Sequence, residues 1–372
     1  ILKWPGGKSR EIAQIYGMIP SYERYIEPFF GGGALFFHLK PERAAVNDTA
    51  KDLMTFYSRV RAQDPQLLAC LNAYETGFRG MLELCRLRMT ELLELFRLAQ
   101  QDKAACQSAL AAVLDKWTPE FLSLFSRRIV SNPAAFRREL ERSVLDKLMR
   151  TAKNHQKRPF TPDDLSENLV TGFASGFYMY FRQICNDWTL GRLELSEAEK
   201  CANFFFIREY CYGSMFRYNA KGEFNIPYGG MSYNDKDFAG KIKAIFSDEA
   251  KRLFSGTELY CRDFEAFLEA VKPTEKDFIF LDPPYDTEFS DYEGTAFTRL
   301  DHARLALTLS RVKAKFLLII KDTPYISGLY SQGFYVTSFD KQYTYNVRSR
   351  NDRSAQHLII TNYAPPTQAT EV

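Results

Sequence analysis

The sequence predicts an α/β fold in which a mostly parallel sheet is interrupted by a long helical segment. Short apolar runs at 278–281 and 316–320 have the composition of buried parallel strands. A glycine-rich turn at 31–33 separates a short strand from a helix-like stretch, which is typical of βαβ units. From about 64 to 210 the apolar residues instead recur at helical spacing, as they do in the segment 92–99.

These elements predict two unlike regions. We expect residues 1–63 and 256–372 to form one α/β domain, and residues 64–255 to form a helical insertion that carries a hairpin at about 212–232. Further strands are predicted at 25–27, 44–46, 259–261 and about 356–362. Further helices are predicted at 34–39, in a stretch that follows Asp48 and ends at about 61, and at 300–312. We expect 259–261 to be a fully buried strand and 356–362 to pair at the end of the sheet.

Composition restricts the class of protein. Hydrophobic residues make up 45% of the chain and charged residues 26%, as in proteins that form a core. No apolar run approaches the roughly 18 residues that a membrane helix needs. The seven cysteines contain no C-x-x-C pair and the four histidines are scattered, which argues against a disulfide framework and a zinc site. The chain begins at Ile1 without a signal-peptide pattern. We therefore expect a cytoplasmic protein with no metal and no membrane partner.

One segment departs from the nearly neutral net charge of +3. Residues 127–158 contain ten basic residues and only three acidic ones. Such a segment could contact phosphates, or it could be a solvated helix surface, and both interpretations remain open.

A tetrapeptide that suits chemistry on an amine follows the apolar run at 278–281. In Asp282-Pro-Pro-Tyr285 the two prolines remove N–H donors and leave carbonyl groups, Asp282 adds an acceptor, and Tyr285 adds a flat face. Ligands of open α/β sheets bind at the carboxyl ends of strands, where this motif lies. It suits a planar ring with an exocyclic amine, although a simple strand-ending turn uses the same residues.

Two glycine motifs indicate a ligand near the start of the chain. Glu27-Pro-Phe-Phe-Gly-Gly-Gly33 allows close approach of the backbone, and Asp48, at the end of the next strand, can accept ribose hydroxyl groups. Oxidoreductases use the same device, so this pair does not distinguish NAD from S-adenosylmethionine. Lys3-Trp-Pro-Gly-Gly-Lys8 could offer a packing face and a cation, or it could be an ordinary N-terminal arm.

The predicted hairpin contains residue types that read nucleic acid. In the stretch 212–229, Arg217 and Asn219 can read base edges in a major groove, and Lys221 can contact phosphate. The alternative is a hairpin whose polar residues only make turns.

Together these motifs resemble the DNA adenine-N6 methyltransferases of the Dam type, which form the alpha class by motif order. The likeness covers KWPGGK, EPFFGGG, Asp48, RYNAKGEFNIPYG and DPPY in the same order, over about half of the chain. The segment from about 64 to 200 resembles no family that we can name. Two departures are Pro5, where the family usually has Ala, and Gly230-Met231, where it has a basic and an aromatic residue.

The resemblance implies a Rossmann-like methyltransferase sheet with S-adenosylmethionine as cofactor, and a DNA-recognition hairpin. The implied cofactor-binding residues are Trp4, Lys8, Glu27, Pro28, Phe29, Phe30, Gly31, Gly33, Asp48, Asp263, Phe264 and Asp282. The implied catalytic residues are Asp282, Pro283, Pro284 and Tyr285. The DNA-binding candidates, from the resemblance and from residue type, are Tyr212, Met215, Arg217, Asn219, Lys221, Asn225, Pro227, Arg348 and Arg350.

The resulting hypothesis is a site-specific enzyme that methylates N6 of a flipped adenine in double-stranded DNA, in GATC or a related site. We expect a monomer associated with the nucleoid. A cognate restriction endonuclease in the same system is compatible with the sequence, and no direct contact with it is implied. The alternatives are an RNA adenine-N6 methyltransferase and a non-catalytic DNA-binding subunit. A glutamine methyltransferase is disfavoured because Asn would be expected at Asp282, and an NAD-dependent oxidoreductase explains neither DPPY nor the hairpin.

Overall fold

The computed structural model describes residues 2, 4, 11–126, 129–285, 297–342 and 354–364. They divide into two compact units. The first unit contains the described residues up to Arg61, except Leu2, and those from Asp248 onward; the second contains Leu2 and the described residues of Ala62–Ser247.

The described residues of the first unit form a seven-stranded mixed sheet, which confirms the predicted α/β class. Its strands are β1 (Arg24–Glu27), β2 (Ala44–Asn47), β3 (Thr257–Tyr260), β4 (Asp277–Leu281), β5 (Lys315–Lys321), β6 (Tyr335–Gln342) and β7 (Ser354–Thr361). They are ordered β3-β2-β1-β4-β5-β7-β6. The first five strands in this order are parallel, and β7 is antiparallel to both β5 and β6. Strands β2 and β4 are buried along their whole length and β1 is buried from Tyr25 to Glu27, as both faces of a parallel sheet usually are.

Helices connect these strands and form most of the second unit. The α-helices of the described residues are α1 (Ile12–Ile15), α2 (Ala34–Leu39), α3 (Lys51–Arg61), α4 (Pro65–Leu87), α5 (Met89–Gln101), α6 (Lys103–Ser123), α7 (Pro133–Lys157), α8 (Pro162–Thr189), α9 (Glu197–Tyr210), α10 (Phe238–Ile245), α11 (Asp248–Ser255), α12 (Phe264–Val271), α13 (Arg299–Arg311) and α14 (Pro324–Leu329). None of them combines the length and the apolar composition that crossing a membrane requires.

Capping residues set several of these boundaries. The Asn132 side chain accepts a hydrogen bond from the Ala135 N–H at 3.0 Å, and Pro133 occupies the first turn of α7, where its missing N–H costs nothing. Thr161 and Pro162 begin α8 in the same way. In these two helices, a polar capping residue followed by proline therefore marks the start of the helix in the sequence.

Two predictions about the sheet are wrong. The last strand, β7, does not lie at the end of the sheet, because β6 pairs outside it. The sequence analysis missed β6, in which the exposed residues 335–338 give no buried apolar run. The segment at 259–261 is not a fully buried strand either: β3 is the opposite edge, and only Thr257 in it is buried. An edge strand has one neighbour, so its sequence need not be uniformly apolar.

Two glycines allow α7 and α8 to pack closely in the second unit. A Cβ atom on Gly176 would lie 3.0 Å from the Leu140 Cα atom, and one on Gly172 would lie 3.2 Å from the Val144 Cα atom. Both contacts are with backbone, which cannot rotate away. Larger residues at these positions would therefore push the helices apart.

We predict that Gly176→Ala lowers the free energy of unfolding by about 1–2 kcal/mol, because the overpacking cost outweighs the gain in helix propensity. Urea unfolding followed by circular dichroism measures the change. The matched control is Gly80→Ala in α4, whose Cβ would meet only the flexible Leu124 side chain at 3.2 Å. Equal stability changes in the two variants would contradict the close-packing argument.

Candidate active site and recognition hairpin

Three carboxylates come together at the carboxyl edge of the sheet. Glu27 ends β1, Asp48 follows β2 directly, and Asp282 follows β4 directly. Since β2 and β4 flank β1 on either side, the chain reverses its winding direction at β1. Open α/β sheets bind ligands in the crevice at such a switch point.

The buried Asn47, at the end of β2, fixes the strand ends relative to one another. Its Nδ2 donates to the carbonyl oxygens of Pro28 at 3.0 Å and Arg262 at 2.9 Å. Its Oδ1 accepts from the Arg262 N–H at 2.9 Å, and its carbonyl oxygen accepts from the Phe30 N–H at 2.8 Å. The glycine turn after β1 and the segment after β3 are thus both attached to β2.

The glycine turn has the left-handed backbone that its sequence predicts. Gly31 has φ +48° and Gly33 has φ +61°, values that side chains with a Cβ rarely adopt. A Cβ on Gly31 would lie 2.7 Å from Cδ1 of Trp4, so the indole packs directly on the turn. Asp48 accepts the Gly31 N–H at 2.8 Å through Oδ2 and the Ala50 N–H at 2.9 Å through Oδ1. The structure therefore brings Trp4, the turn and Asp48 together.

Glu27 is a buried carboxyl group of this edge with a strongly raised pKa. Its side chain is only 2% exposed, and its Oε2 accepts a hydrogen bond from the Tyr25 hydroxyl at 2.8 Å. Burial raises the pKa of Glu27 well above its ordinary value, the Tyr25 hydrogen bond lowers it, and the charges of Asp282 and Asp48 raise it further. Burial likewise raises the pKa of Asp48, against the backbone N–H groups that lower it. The edge therefore favours a proton or a cationic group of a ligand.

The Asp282-Pro-Pro-Tyr285 segment lies at this edge, and an aromatic ring contacts its Tyr285 side chain. Pro283 is buried, whereas the other three residues are half-buried. The ring of Tyr285 meets the ring of His357, on β7, at 5.2 Å in an edge-to-face arrangement. His357 is fully buried and also contacts Phe339 at 5.7 Å. Sequence reasoning missed His357, since no local pattern connects it with Tyr285.

Asp263 and Phe264, at the start of α12, are held by an arginine that the sequence analysis also missed. Arg304 of α13 donates from Nη1 to Asp263 Oδ1 at 2.7 Å and from Nη2 to Oδ2 at 2.8 Å, and its guanidinium lies 4.4 Å from the Phe264 ring centre. Burial raises the pKa of Asp263, but the hydrogen bonds from Arg304 and the backbone lower it overall. Phe264 also meets Phe29 of the glycine turn at 5.7 Å. The segment is thus a preformed aromatic and acidic rim.

In the second unit, residues 211–228 form the hairpin, with antiparallel bridges between Cys211 and Tyr228 and between Tyr218 and Phe224. Its return strand alternates: Phe224, Ile226 and Tyr228 are buried, and the residues between them turn outward. The candidates Met215, Arg217, Asn225 and Pro227 are half-buried or exposed, and Tyr212 is exposed within a short 3-10 helix. Alternation along the return strand thus places Asn225 and Pro227 on its outward face.

The Asn219 side chain shapes the tip of this hairpin. Its Oδ1 accepts the N–H groups of Lys221 at 2.9 Å and Glu223 at 3.0 Å, and its Nδ2 donates to the Glu223 carboxylate at 3.1 Å. This is the turn geometry that Asn favours. Lys221 is exposed beside it.

The basic segment lies mainly on α7, and several of its charges are already paired. Arg137 binds Asp115 and Glu141, Arg142 binds Glu139, and Arg150 binds Asp146. Glu139, Glu141 and Asp146 are the segment's own acidic residues, so among these partners only Asp115 reduces its excess of positive charge.

Some predicted residues fall outside the described part of the chain. They are Lys8, Arg127, Arg128, Arg348 and Arg350. Within the described part, no group of three or more His, Cys, Asp or Glu side chains is arranged to hold a metal ion.

Comparison with known proteins shows the family. Residues 4–76 and 144–345 match the D12 class N6 adenine-specific DNA methyltransferases. Because these segments cover most of the chain, the protein belongs to this family.

Relatives carry names of the same kind. M.CviBI, a type II methyltransferase of Paramecium bursaria Chlorella virus NC1A, is 32% identical over 166 residues, which are 44% of this chain and 60% of the relative. The type II methyltransferase M1.LlaDCHI of Lactococcus lactis subsp. cremoris is 22% identical over 97% of this chain and 94% of its own. The DNA N-6-adenine-methyltransferase of Escherichia phage P1 is 25% identical over 90% of this chain and 32% of its own.

The protein is therefore an adenine-N6-specific DNA methyltransferase of the Dam type, as its motifs predict. DNA is its substrate. Neither the RNA alternative nor the non-catalytic subunit is favoured by the family or by the relatives.

We predict that Glu27→Gln removes a pH dependence of stability. A carboxyl whose pKa is higher when folded than when unfolded binds its proton more tightly in the folded state, so stability falls as pH rises between the two pKa values. The Gln variant, which can still accept the Tyr25 hydrogen bond, should match the wild type near about pH 4 and become the more stable protein above it. The difference grows by up to about 1.4 kcal/mol per pH unit within the window.

Urea unfolding at a series of pH values measures this difference. The control is Glu275→Gln, which changes an exposed carboxyl of the same unit. A parallel pH dependence in wild type and Glu27→Gln would show that Glu27 does not titrate abnormally.

Proposed function

We propose that the first unit binds S-adenosylmethionine and transfers its methyl group to an adenine that has left the DNA duplex. The observation that carries the proposal is the position of Asp282-Pro-Pro-Tyr285 directly after β4, next to the glycine turn that follows β1. An acceptor-rich segment for an amine and a cradle for a nucleoside thus share one edge of the sheet.

The residues of this edge fit the proposed cofactor. The left-handed Gly31 lets the backbone approach a ligand closely, and Trp4 packs against it. Each Asp48 oxygen accepts one backbone N–H and keeps acceptor capacity for a ribose hydroxyl group. The buried acidic Glu27 suits a positively charged group, and the rim formed by Phe29 and Phe264 suits an adenine ring. The cofactor supplies an electrophilic methyl group on a sulfonium.

The chain's own contribution to the reaction is to hold the target amine. The N6 lone pair of adenine is delocalised into the ring, so the amine is a poor nucleophile. In our proposal Asp282 and the Pro283 carbonyl oxygen each accept one N6–H, which favours a pyramidal nitrogen whose lone pair points at the methyl group. Direct displacement then needs positioning and electrostatics, and no covalent enzyme intermediate.

An adenine within a duplex cannot reach such a segment, so the proposal includes base flipping. Tyr285 offers the face on which the extruded base stacks. The buried His357 ring contacts the Tyr285 ring in an edge-to-face arrangement, which is consistent with a fixed stacking platform.

In this proposal the hairpin of the second unit recognises the DNA sequence. Arg217 reads the guanine that precedes the target adenine, Met215 and Pro227 contact neighbouring bases, Tyr212 enters the base stack, and Lys221 meets phosphate. Asn219 also shapes the tip through its hydrogen bonds to the Lys221 and Glu223 N–H groups. The recognition site that we propose is GATC. The type II names of M.CviBI and M1.LlaDCHI support a place in a restriction–modification system.

We predict that Asp282→Ala and Tyr285→Ala each lower the rate of methyl transfer by at least about 100-fold, because each removes a group that positions the amine. Duplex affinity should change little, since neither residue lies in the hairpin. Transfer of labelled methyl groups and a gel-shift titration measure the two quantities.

The controls are Asp248→Ala and Tyr335→Ala, which remove an exposed carboxylate and an exposed tyrosine of the same unit. Wild-type turnover by Asp282→Ala or Tyr285→Ala would refute the assignment of the catalytic segment.

A second prediction concerns the substrate. We expect labelled methyl transfer to duplexes that contain GATC, and none to duplexes with a permuted site or without adenine. Methylation of a different adenine-containing site would retain the enzyme class and reject GATC. Methylation of single-stranded and duplex GATC at equal rates would argue against recognition by a hairpin in the major groove.

A further inference from the structure

The exposed Arg217 has a cross-strand partner in the hairpin. The Asn225 N–H donates to the Arg217 carbonyl oxygen at 3.1 Å, so the two residues lie opposite each other in the antiparallel pair. Side chains directly opposite in such a pair point to the same face of the ribbon. Both therefore lie on the outward face that also carries Pro227.

A short hydrogen bond joins the two side chains. Arg217 donates from Nε to the Asn225 Oδ1 at 2.7 Å, whereas its Nη2 is 3.5 Å from the Asn225 carbonyl oxygen, a much weaker contact. A guanidinium has five donors in a fixed plane and no acceptor. With Nε bound to Asn225 and Nη2 in only a weak contact, the edge formed by the two Nη atoms keeps N–H donors for a ligand.

This edge matches one kind of base. The acceptors O6 and N7 of guanine lie side by side in the major groove, and two parallel N–H donors from one arginine satisfy both. An arginine that must first be ordered loses part of this gain to side-chain entropy. An arginine already held at Nε has less freedom to lose.

The inner face of the hairpin fixes the backbone beneath this pair. Asn186 of α8 donates to the Phe224 carbonyl oxygen at 3.1 Å and accepts the Phe224 N–H at 2.8 Å. These two hydrogen bonds satisfy the backbone groups of Phe224 as a neighbouring strand would. The buried guanidinium of Arg208, on α9, lies over the Phe216 ring and 5.2 Å from the Phe224 ring centre. Phe216 and Phe224 each precede a member of the pair in the chain. The second unit therefore holds both strands before DNA binds.

We infer that Asn225 is a positioning residue that orients the Arg217 fork toward guanine, and that it sets sequence selectivity through Arg217 without itself reading a base. The inference rests on the proposed function, in which Arg217 is the reader. Asn225 and Arg217 then act as one unit, and their contributions to selectivity are not additive.

The test is a double-mutant cycle on selectivity. Wild type, Arg217→Ala, Asn225→Ala and the double variant are compared on a duplex that the wild type methylates. The second substrate is the same duplex with 7-deazaguanine, which keeps O6 and lacks N7, before the target adenine. Selectivity is the ratio of kcat/KM for the two duplexes. A ratio within one preparation does not depend on how much of the protein is folded.

We expect Arg217→Ala to lower the selectivity by roughly 5- to 150-fold and Asn225→Ala by roughly 3- to 10-fold. In the Arg217→Ala background, Asn225→Ala should cause no further loss. Asn225→Asp keeps an acceptor of the same size at the same place and loses the amide donors. It should therefore restore selectivity close to that of the wild type, while its negative charge weakens binding to both duplexes alike.

Additive losses, or an Asn225→Asp variant as unselective as Asn225→Ala, would overturn the inference, because both outcomes mean that the amide contacts DNA directly. Loss of selectivity in Arg217→Ala but not in Asn225→Ala would overturn the inference alone. Full selectivity in Arg217→Ala would remove the inference together with the reading role that the proposed function gives Arg217.

Discussion

The four hydrogen bonds of the buried Asn47 are the constraint on which the arrangement of the carboxyl edge of the sheet depends. They join the turn after β1 and the segment after β3 to the end of β2, three places that are far apart in the chain. Loss of the amide would leave buried carbonyl and N–H groups without partners, which is costly in a dry interior. The glycine turn, Asp48 and the Asp263 segment all take their positions from this one residue.

Bringing carboxylates to one edge has an electrostatic cost that the fold bears in the absence of a ligand. Burial raises the pKa of Glu27 most, and the charges of Asp282 and Asp48 raise it further. A site of this kind stabilises a cationic ligand, and without one it lowers the stability of the protein as pH rises from the unfolded-state to the folded-state pKa of Glu27. Active sites often give up stability in this way.

The second unit solves a different problem, which is to present polar side chains without losing their geometry. Alternation along the hairpin buries Phe224, Ile226 and Tyr228 and leaves Asn225 and Pro227 outward. Helices α8 and α9 hold the inner face through Asn186 and Arg208. The helical mass around a short hairpin is thus its scaffold, and a preordered hairpin has less entropy to lose on binding.

The sequence by itself determined the motif order, the class of fold and the elements that carry DPPY and EPFFGGG, because apolar period, glycine turns and strand-end residues are local signals. It did not determine that β7 lies between β5 and β6 in the sheet, that β3 is an edge strand, or that the His357 ring contacts Tyr285. Nor did it reveal that Arg304 binds Asp263. It placed Asn225 and Arg217 in one motif but did not show that their side chains form a hydrogen bond. Only the tertiary structure decided these points, since a local pattern specifies which residues are buried or turned outward but not which distant residue they meet.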